Sequence, residues 1–406
     1  MACLKSKMMI SSRLVQLCVI VANILLCNNL LAQDVATILE TVNQSHDGVT
    51  EKTVSSNETF DTDSDPIFYF TSFTVASGQI LTVSGSNPLV VIADIINIHG
   101  TIDVSGGNGQ NASEVPNSGG GNGAGGGAGG GGMFLAGKTS ITIHSGAKLM
   151  ANGGDGGHAG GQGQASFSGS PWHGTQAGGN GQGGIGVAGG FNGGNGGPHA
   201  TPPSPASAGL DGGGPGGGGG SHGYWAGGPN TTGVPGGGGG GGYGTAGQKG
   251  FSQYWGGGNT NGGAAGSAYG NSDIDILFGG SGGGGGGNDN DNEEGAGGGG
   301  AGGSIYLYSA NITNLGTIEA NGGVGGLDDY NNNLTHWTAA FNNGGTGGTG
   351  RIRSHTNTAL ADLPAMNSST LAENTDSPIR YIPFKSQYVL LGLMALIGVW
   401  FLLRQH

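Results

Sequence analysis

The feature that most constrains the fold is a set of glycine tracts, among them residues 236–242 and 282–287, which contain glycine alone. In all, 98 of the 406 residues are glycine, whereas average usage predicts roughly 28. Each interior glycine costs a helix about 1 kcal/mol relative to alanine, so the tracts exclude a helical protein. Collagen is excluded because no Gly-X-Y period is sustained and only 14 prolines are present.

The N-terminus has the pattern of a secretory signal peptide over residues 1–32. Basic residues precede a largely apolar stretch at residues 14–26, and Ala32 is the expected cleavage residue. A retained membrane anchor and a lipoprotein modified at Cys27 are the alternatives. All three cysteines lie in this leader, so the mature chain is expected to have neither disulfides nor a cysteine-based metal site.

Removal of the leader makes the chain more acidic. Three of the 12 basic residues lie in it, which leaves 9 against 25 acidic residues, a net charge of −16. Nucleic acid is therefore not an expected partner, because phosphate binding needs a basic surface. The charge suits an extracellular surface, and we expect the protein at the cell surface, in the outer envelope or in the medium.

A second apolar segment, residues 389–403, closes the chain and is followed by Arg404. Its length is marginal for a membrane span of about 20 residues. The sequence predicts a C-terminal helix that tethers the protein to a membrane. The alternative is a buried C-terminal helix of a soluble domain.

Five positions around this segment carry a further pattern: Ile382, Pro383, Ser386, Tyr388 and Arg404. With it, residues 382–406 resemble the IPTL-type C-terminal sorting tails of Gram-negative bacteria, although residues 384–385 replace the usual Thr-Leu pair and Tyr388 stands where Trp is usual. The resemblance implies export and processing by an exosortase-like membrane peptidase. It leaves open whether the tail is cleaved or stays as an anchor.

The body of the chain contains an internal repeat, at residues 96–107, 141–154 and 312–323. Each copy has the pattern of a strand, a turn at glycine, a second strand and an exit through Asn-Gly-Gly or a similar sequence. One such unit cannot bury its own apolar face, whereas stacked units can. The sequence therefore predicts an all-β fold, a short-strand β-solenoid or a stacked β-sandwich.

Glycine tracts separate the second and third copies of the repeat. They form either a disordered linker or an ordered bundle of extended, polyglycine-II-like segments that bond to one another laterally. Large apolar residues scattered through the tracts, such as Trp172, Tyr243 and Trp255, favour the bundle because a linker has no use for them.

This pattern, over residues 66–355, resembles glycine-rich bacterial surface proteins. The tracts alone are similar to the polyglycine-helix domains of some phage tail-tip adhesins and of glycine-rich receptor ectodomains. The expected organisation has seven parts. They are a signal peptide (1–32), a flexible lead-in (33–65) in which residues 35–42 can form a short helix, a β-repeat region (66–154), glycine-rich tracts (155–303), a β-repeat return (304–355), a polar linker (356–381) and the sorting tail (382–406).

The densest acidic cluster is a candidate for binding Ca²⁺, through Asp289, Asp291, Glu293 and Glu294. Alternating carboxylate and amide oxygens can ligate this ion. The EF-hand pattern fails, however, because its glycine and its final glutamate are missing, and a solvated loop tip is the competing interpretation. We expect no other cofactor.

Three further motifs fit structural roles better than chemical ones. Residues 132–139 match the phosphate-loop pattern G-x-x-x-x-G-K-[ST], but they coincide with an expected strand of the repeat. Residues 279–283 match G-x-S-x-G without a helix to follow. His99 and His144 occupy equivalent repeat positions, where they are expected to stack rather than to bind a metal.

These features predict an exported structural or adhesive protein that acts by contact and not as an enzyme. Its expected partners are the membrane, a processing peptidase and a surface glycan or protein. A self-associating matrix or filament subunit and a secreted, polysaccharide-active β-solenoid enzyme are the alternatives.

Overall fold

The computed structural model describes nine ranges of the chain. They are residues 33–42, 50–112, 123–159, 181–197, 208–221, 236–252, 262–287, 295–327 and 342–357. The contacts divide the chain into two units, Met1–Ser368 and Ser369–His406. The second unit, the predicted signal peptide and the sorting tail lie outside the described residues.

One helix and fourteen strands occur in these ranges. The helix α1 spans Val35–Val42. The strands are β1 Gln33–Asp34, β2 Lys52–Val54, β3 Glu58–Asp61, β4 Phe68–Val75, β5 Ile80–Ser84, β6 Leu89–Ile98, β7 Thr101–Asp103, β8 Gly132–Ile143, β9 Lys148–Met150, β10 Ile276–Leu277, β11 Ser304–Ser309, β12 Ile312–Asn314, β13 Thr317–Glu319 and β14 Arg351–Thr356.

The described strands form two parallel sheets and one short antiparallel pair. The seven-stranded sheet has the order β14-β11-β8-β6-β4-β2, with β12 also paired to β8, and the five-stranded sheet has the order β13-β9-β7-β5-β3. All pairs within these two sheets are parallel. The pair β1–β10 is antiparallel.

The internal repeat sets the register of both sheets. In the larger sheet Ile141 pairs with Ile96 on one side and with Ile312 on the other. In the smaller sheet Leu149 pairs with Ile102 and with Ile318. The first strand of each repeat thus lies in one sheet and the second strand in the other, each beside its equivalent from the neighbouring repeat.

The main hydrophobic core draws buried residues from both parallel sheets. Among its fully buried members are Phe73, Leu81, Ile98, Ile102 and Leu149. Buried and exposed residues alternate along β5. This alternation is expected of a strand with only one face covered, because successive side chains point to opposite faces of a sheet.

A second core cluster includes the helix α1. Its apolar residues Val35, Ile38 and Val42 are buried because their spacing places them on one side of a helix. They cluster with residues of β6, β8 and β11, including Ile92 and Phe134. The helix therefore covers apolar side chains of the larger sheet.

The described glycine tracts are bonded laterally, as residues 123–131 show. Every third N–H group donates to the same neighbouring segment, at 2.7–3.0 Å. The N–H groups of residues 123, 126 and 129 donate to segment 191–197, those of 124, 127 and 130 to segment 295–301, and those of 125, 128 and 131 to segment 104–110. Segments 154–157, 181–184 and 280–286 donate to its carbonyl groups in turn. Six neighbours therefore satisfy the backbone of this buried segment.

Such close packing has no room for side chains at many glycines. A Cβ atom added to Gly127 would lie 1.9 Å from the carbonyl oxygen of Gly154. The described tracts are thus bonded parts of the fold, and a linker interpretation does not suit them.

The predicted fold class, a short-strand β-solenoid or stacked β-sandwich with a terminal membrane helix, was wrong. The described residues instead form two parallel sheets, largely β but α/β-like in strand direction, with the helix α1. The strand patterns report which residues are buried, but they do not report which strands pair. The fold class depends on this long-range pairing of the strands, and the strand patterns do not specify it.

The predicted flexible lead-in, residues 33–65, also needs correction, because it contains α1, β2 and β3. The parallel pairs β2–β4 and β3–β5 extend both sheets into this region. The short helix predicted at residues 35–42 is confirmed.

Within the nine described ranges, no helix has both the length and the apolar character needed to cross a membrane. Both apolar segments on which the sequence prediction depends lie outside these ranges.

Candidate binding cleft

A cleft of 330 Å³ lies on the glycine segments, between residues 182–185, 192–195 and 210–211. Its lining side chains share no position with any predicted site. They are Gln182, Ile185, Asn192, Asn195, Leu210 and Asp211. A volume of this size lies within the usual range of small-ligand sites.

A tight turn brings the first two of these segments together. Ala188 and Gly189 have φ values of 50° and 80°, in the left-handed region that a sharp reversal requires. The N–H group of Gly193 then donates to the carbonyl of Gly184 at 3.0 Å. This pairing places Asn192 and Asn195 beside residues 183–186.

The two asparagines bond the outward-facing backbone. Oδ1 of Asn195 accepts the N–H group of Gly183 at 2.8 Å, and Oδ1 of Asn192 accepts that of Gly186 at 2.7 Å. Inside the bundle, carbonyls of neighbouring segments accept such N–H groups. At the surface these side-chain oxygens accept them instead. Both side chains are therefore held in one orientation.

The third segment approaches from the other side. The N–H group of Leu210 donates to the carbonyl of Asn195 at 2.8 Å. Oδ1 of Asp211 accepts the N–H group of Gly220 at 2.7 Å. The cleft thus combines amide and carboxylate groups of fixed orientation with two aliphatic side chains, Ile185 and Leu210.

The same capping occurs elsewhere as a ladder of side chains. Oδ1 of Asn108 accepts the N–H group of Asp155, and Oδ1 of Asp155 accepts that of Val324, at 2.9 and 2.7 Å. Three residues further on, Asn111 and His158 repeat the arrangement. Surface Asn and Asp residues at three-residue spacing therefore belong to the architecture of the segments.

A buried tyrosine cluster forms a second polar feature. The hydroxyl of Tyr269 donates to the carbonyl of Gly279 at 2.5 Å, and the guanidinium of Arg351 lies 5.5 Å from the ring centre of Tyr243. Burial raises the pKa of Tyr243 to about 12, against hydrogen bonding from Ser304 and the charge of Arg351, and it also raises the pKa of Tyr269. Both phenols stay neutral and structural.

Three of the sequence motifs have defined structural contacts in the part of the chain that is described. The phosphate-loop match lies within β8, and Lys138 is buried there, which lowers its pKa against the opposing effect of Asp94. Ser281 of the G-x-S-x-G match accepts the N–H group of Gly216 and donates to the hydroxyl of Tyr269. His99 and His144 stack, as expected, with ring centroids 3.7 Å apart.

The remaining predicted site residues lie outside the described ranges. This holds for the processing positions Ala32, Ile382, Pro383, Ser386, Tyr388 and Arg404, and for the Ca²⁺ candidates Asp289, Asp291, Glu293 and Glu294. Among the described residues, no cluster of three or more His, Cys, Asp or Glu side chains could hold a metal ion.

The cleft was not predicted from the sequence, although the sequence contains a signal for it. Polar residues recur at a spacing of three between glycines, as in Asn192 and Asn195. In a chain with a period of three, such residues share one face. Which segments lie beside that face depends on the pairing of the tracts, which one sequence does not report.

No protein family matches the chain, and neither a known protein nor a solved structure shows significant similarity to it.

Proposed function

We propose that this chain is an exported cell-surface protein of a Gram-negative bacterium that acts by contact, in a structural or adhesive role, and not by catalysis. The observation that carries the proposal is the lateral bonding of the glycine segments. It satisfies the inner backbone and leaves capping side chains such as Asn195 and Asp211 at the cleft. A scaffold of this kind offers a fixed surface to a partner.

Export and tethering follow from the two ends of the sequence. The leader would be removed after Ala32, and the C-terminal helix would hold the protein in a membrane until an exosortase-like peptidase acts on the tail. Mass spectrometry of the cell-surface fraction should find Gln33 as the first residue and the apolar tail absent. An intact tail in the membrane fraction would contradict the processing step.

The contact role is tested with the mature protein purified from the cell surface. Binding is measured against whole cells, an array of glycans and an array of surface proteins. We expect saturable binding to at least one of these. Binding to none, by a protein shown to be folded, would overturn the adhesive role.

Self-association as a matrix or filament subunit is the second candidate. Within the described residues the larger sheet ends at β14 and the smaller at β13, and the β14 residue Ile352 is 49% exposed. Open strand edges can pair with another chain. Concentration-dependent fibres in electron micrographs would favour this candidate, and a monomer at all concentrations would exclude it.

A further inference from the structure

We infer that the cleft at residues 182–185, 192–195 and 210–211 binds a neutral, hydroxyl-rich ligand, namely a stretch of uncharged glycan. The inference rests on the proposed contact function and names its ligand class. Three features support it: the polar groups that the capping bonds do not use, the two aliphatic side chains, and the charge of the residues that line the cleft.

The hydrogen-bond donors come from the asparagines. Oδ1 of Asn192 and of Asn195 is bonded to backbone N–H groups, so each side chain keeps its Nδ2 group. Two amide donors held three residues apart on one segment can bond to the hydroxyl or ring oxygens of a sugar.

The acceptors come from the other two segments. Oδ1 of Asp211 accepts the N–H group of Gly220, which leaves Oδ2 as an acceptor for a hydroxyl group. The Gln182 amide, which also lines the cleft, supplies both a donor and an acceptor. A ligand that fits must therefore both donate and accept, as sugar hydroxyl groups do.

The aliphatic side chains supply the apolar contact. Ile185 is 72% exposed and Leu210 is 59% exposed, and both line the cleft. A ligand that covers exposed side chains of this size removes apolar surface from water, which favours binding. The C–H faces of sugar rings offer such a cover beside their hydroxyl groups.

The charge of the lining selects against anions. No Lys or Arg is among the cleft residues, and Asp211 is their one charged group. With its leader removed, the chain also carries an acidic excess, which repels polyanions at long range. An uncharged glycan suits this lining, whereas sulfated or uronic-acid polymers do not.

The floor of the cleft is preorganised. The N–H groups of Gly184 and Gly194 donate to the carbonyls of Gly126 and Gly283, at 2.8 and 2.9 Å. The floor is thus bonded to segments beneath it, and little ordering is needed when a ligand binds.

The test uses the mature protein and titrates neutral oligosaccharides, made of hexoses and of N-acetylhexosamines, by calorimetry. The key variant is the double substitution N192D/N195D. It retains the oxygens that cap residues 183 and 186 but removes both amide donors. We expect at least one oligosaccharide to bind, and the variant to bind it about tenfold more weakly or worse.

A matched control is N108D/N111D, which makes the same change at the same spacing on residues that do not line the cleft. Their capping oxygens, bonded to the N–H groups of Asp155 and His158, are retained as well. This control should bind like the parent protein. Thermal unfolding of all three proteins shows whether the fold is preserved.

The outcomes separate the inference from the proposed function. Glycan binding that N192D/N195D leaves unchanged would overturn the cleft as the site while supporting contact. Binding only to anionic glycans or to proteins would overturn the ligand class and again leave the contact role standing. Binding to no partner of any kind would overturn both.

Discussion

The imidazole rings of His99 and His144 stack with their centroids 3.7 Å apart and their planes at 12°. The two residues follow directly after Ile98 and Ile143, which are paired in register across β6 and β8. The N–H group of His144 donates to the carbonyl of Ile98 at 2.8 Å. Equivalent positions of a parallel, in-register repeat thus place like side chains one above the other.

This stack predicts energetic coupling between the two histidines. Replacing either one, by His99→Ala or His144→Ala, should lower the free energy of unfolding by about 1 kcal/mol, because the ring contact is lost. The double variant should lose little more than one single variant. Urea unfolding of the four proteins measures the coupling, and strictly additive losses would show that the stack adds nothing.

The packing of the glycine segments predicts a strong effect of one methyl group. Gly127→Ala places a Cβ atom 1.9 Å from the carbonyl oxygen of Gly154, which forces backbone apart. We expect a loss of stability of about 1–3 kcal/mol or more, seen as a lower melting temperature.

Gly213 is the matched control for this substitution. A Cβ atom there would lie 3.2 Å from the nearest atom, the carbonyl oxygen of Asn192. Gly213→Ala should therefore be much milder. Equal melting temperatures for the two variants would contradict the described pairing of the segments.

The packing of α1 predicts that this helix stabilises the larger sheet. Ile38 is buried in the cluster that includes Ile92 and Phe134. Ile38→Ala should lower the free energy of unfolding by about 2–4 kcal/mol, because it leaves a cavity. The exposed Glu40, changed to alanine, is the control and should have little effect. If both changes are neutral in calorimetry, the helix does not pack as described.

The buried phenols predict a loss of stability in alkali. The pKa of Tyr243 is raised from 10.0 to about 12, so the folded protein favours the neutral phenol more than the unfolded chain does. The resulting stability, about 3 kcal/mol for a shift of this size, is complete below pH 10. It is lost as the pH rises from 10 to 12.

Denaturant unfolding at several pH values between 9 and 12 measures this loss. The variant Tyr243→Phe should lose less stability over the same interval, because one titrating group is gone. Tyr269 and Tyr306, whose pKa values burial also raises, should contribute to the remaining slope. A pH dependence that is identical in the two proteins would rule out Tyr243 as a contributor.

Local patterns predicted local structure well. The sequence indicated that residues 35–42 can form a short helix, and the structure has α1 at those residues. The repeat predicted strands at residues 96–98 and 141–143, which lie in β6 and β8. The spacing of apolar residues indicates which face of an element is buried. The elements α1, β6 and β8 all have buried apolar residues.

Pairing and direction could not be predicted in the same way. Ile141 contacts the equivalent Ile312 after a long intervening stretch of chain, and no local pattern fixes such a partner. The lead-in shows the same limit, because β3 has a polar sequence and becomes a strand through its pairing with β5. The cleft depends on three glycine segments whose neighbours are equally distant in the chain.

The amino-acid sequence by itself determined that the chain is acidic, rich in glycine and contains a repeat. It also determined which residues seek burial, since side-chain chemistry is a local property. Only the tertiary structure decided that the repeats pair in parallel, that each tract bonds to particular neighbours and that Asn195 lies across from Leu210 and Asp211. Glycine carries no side chain that could specify a partner, so the pairing of its backbone is decided by the whole fold.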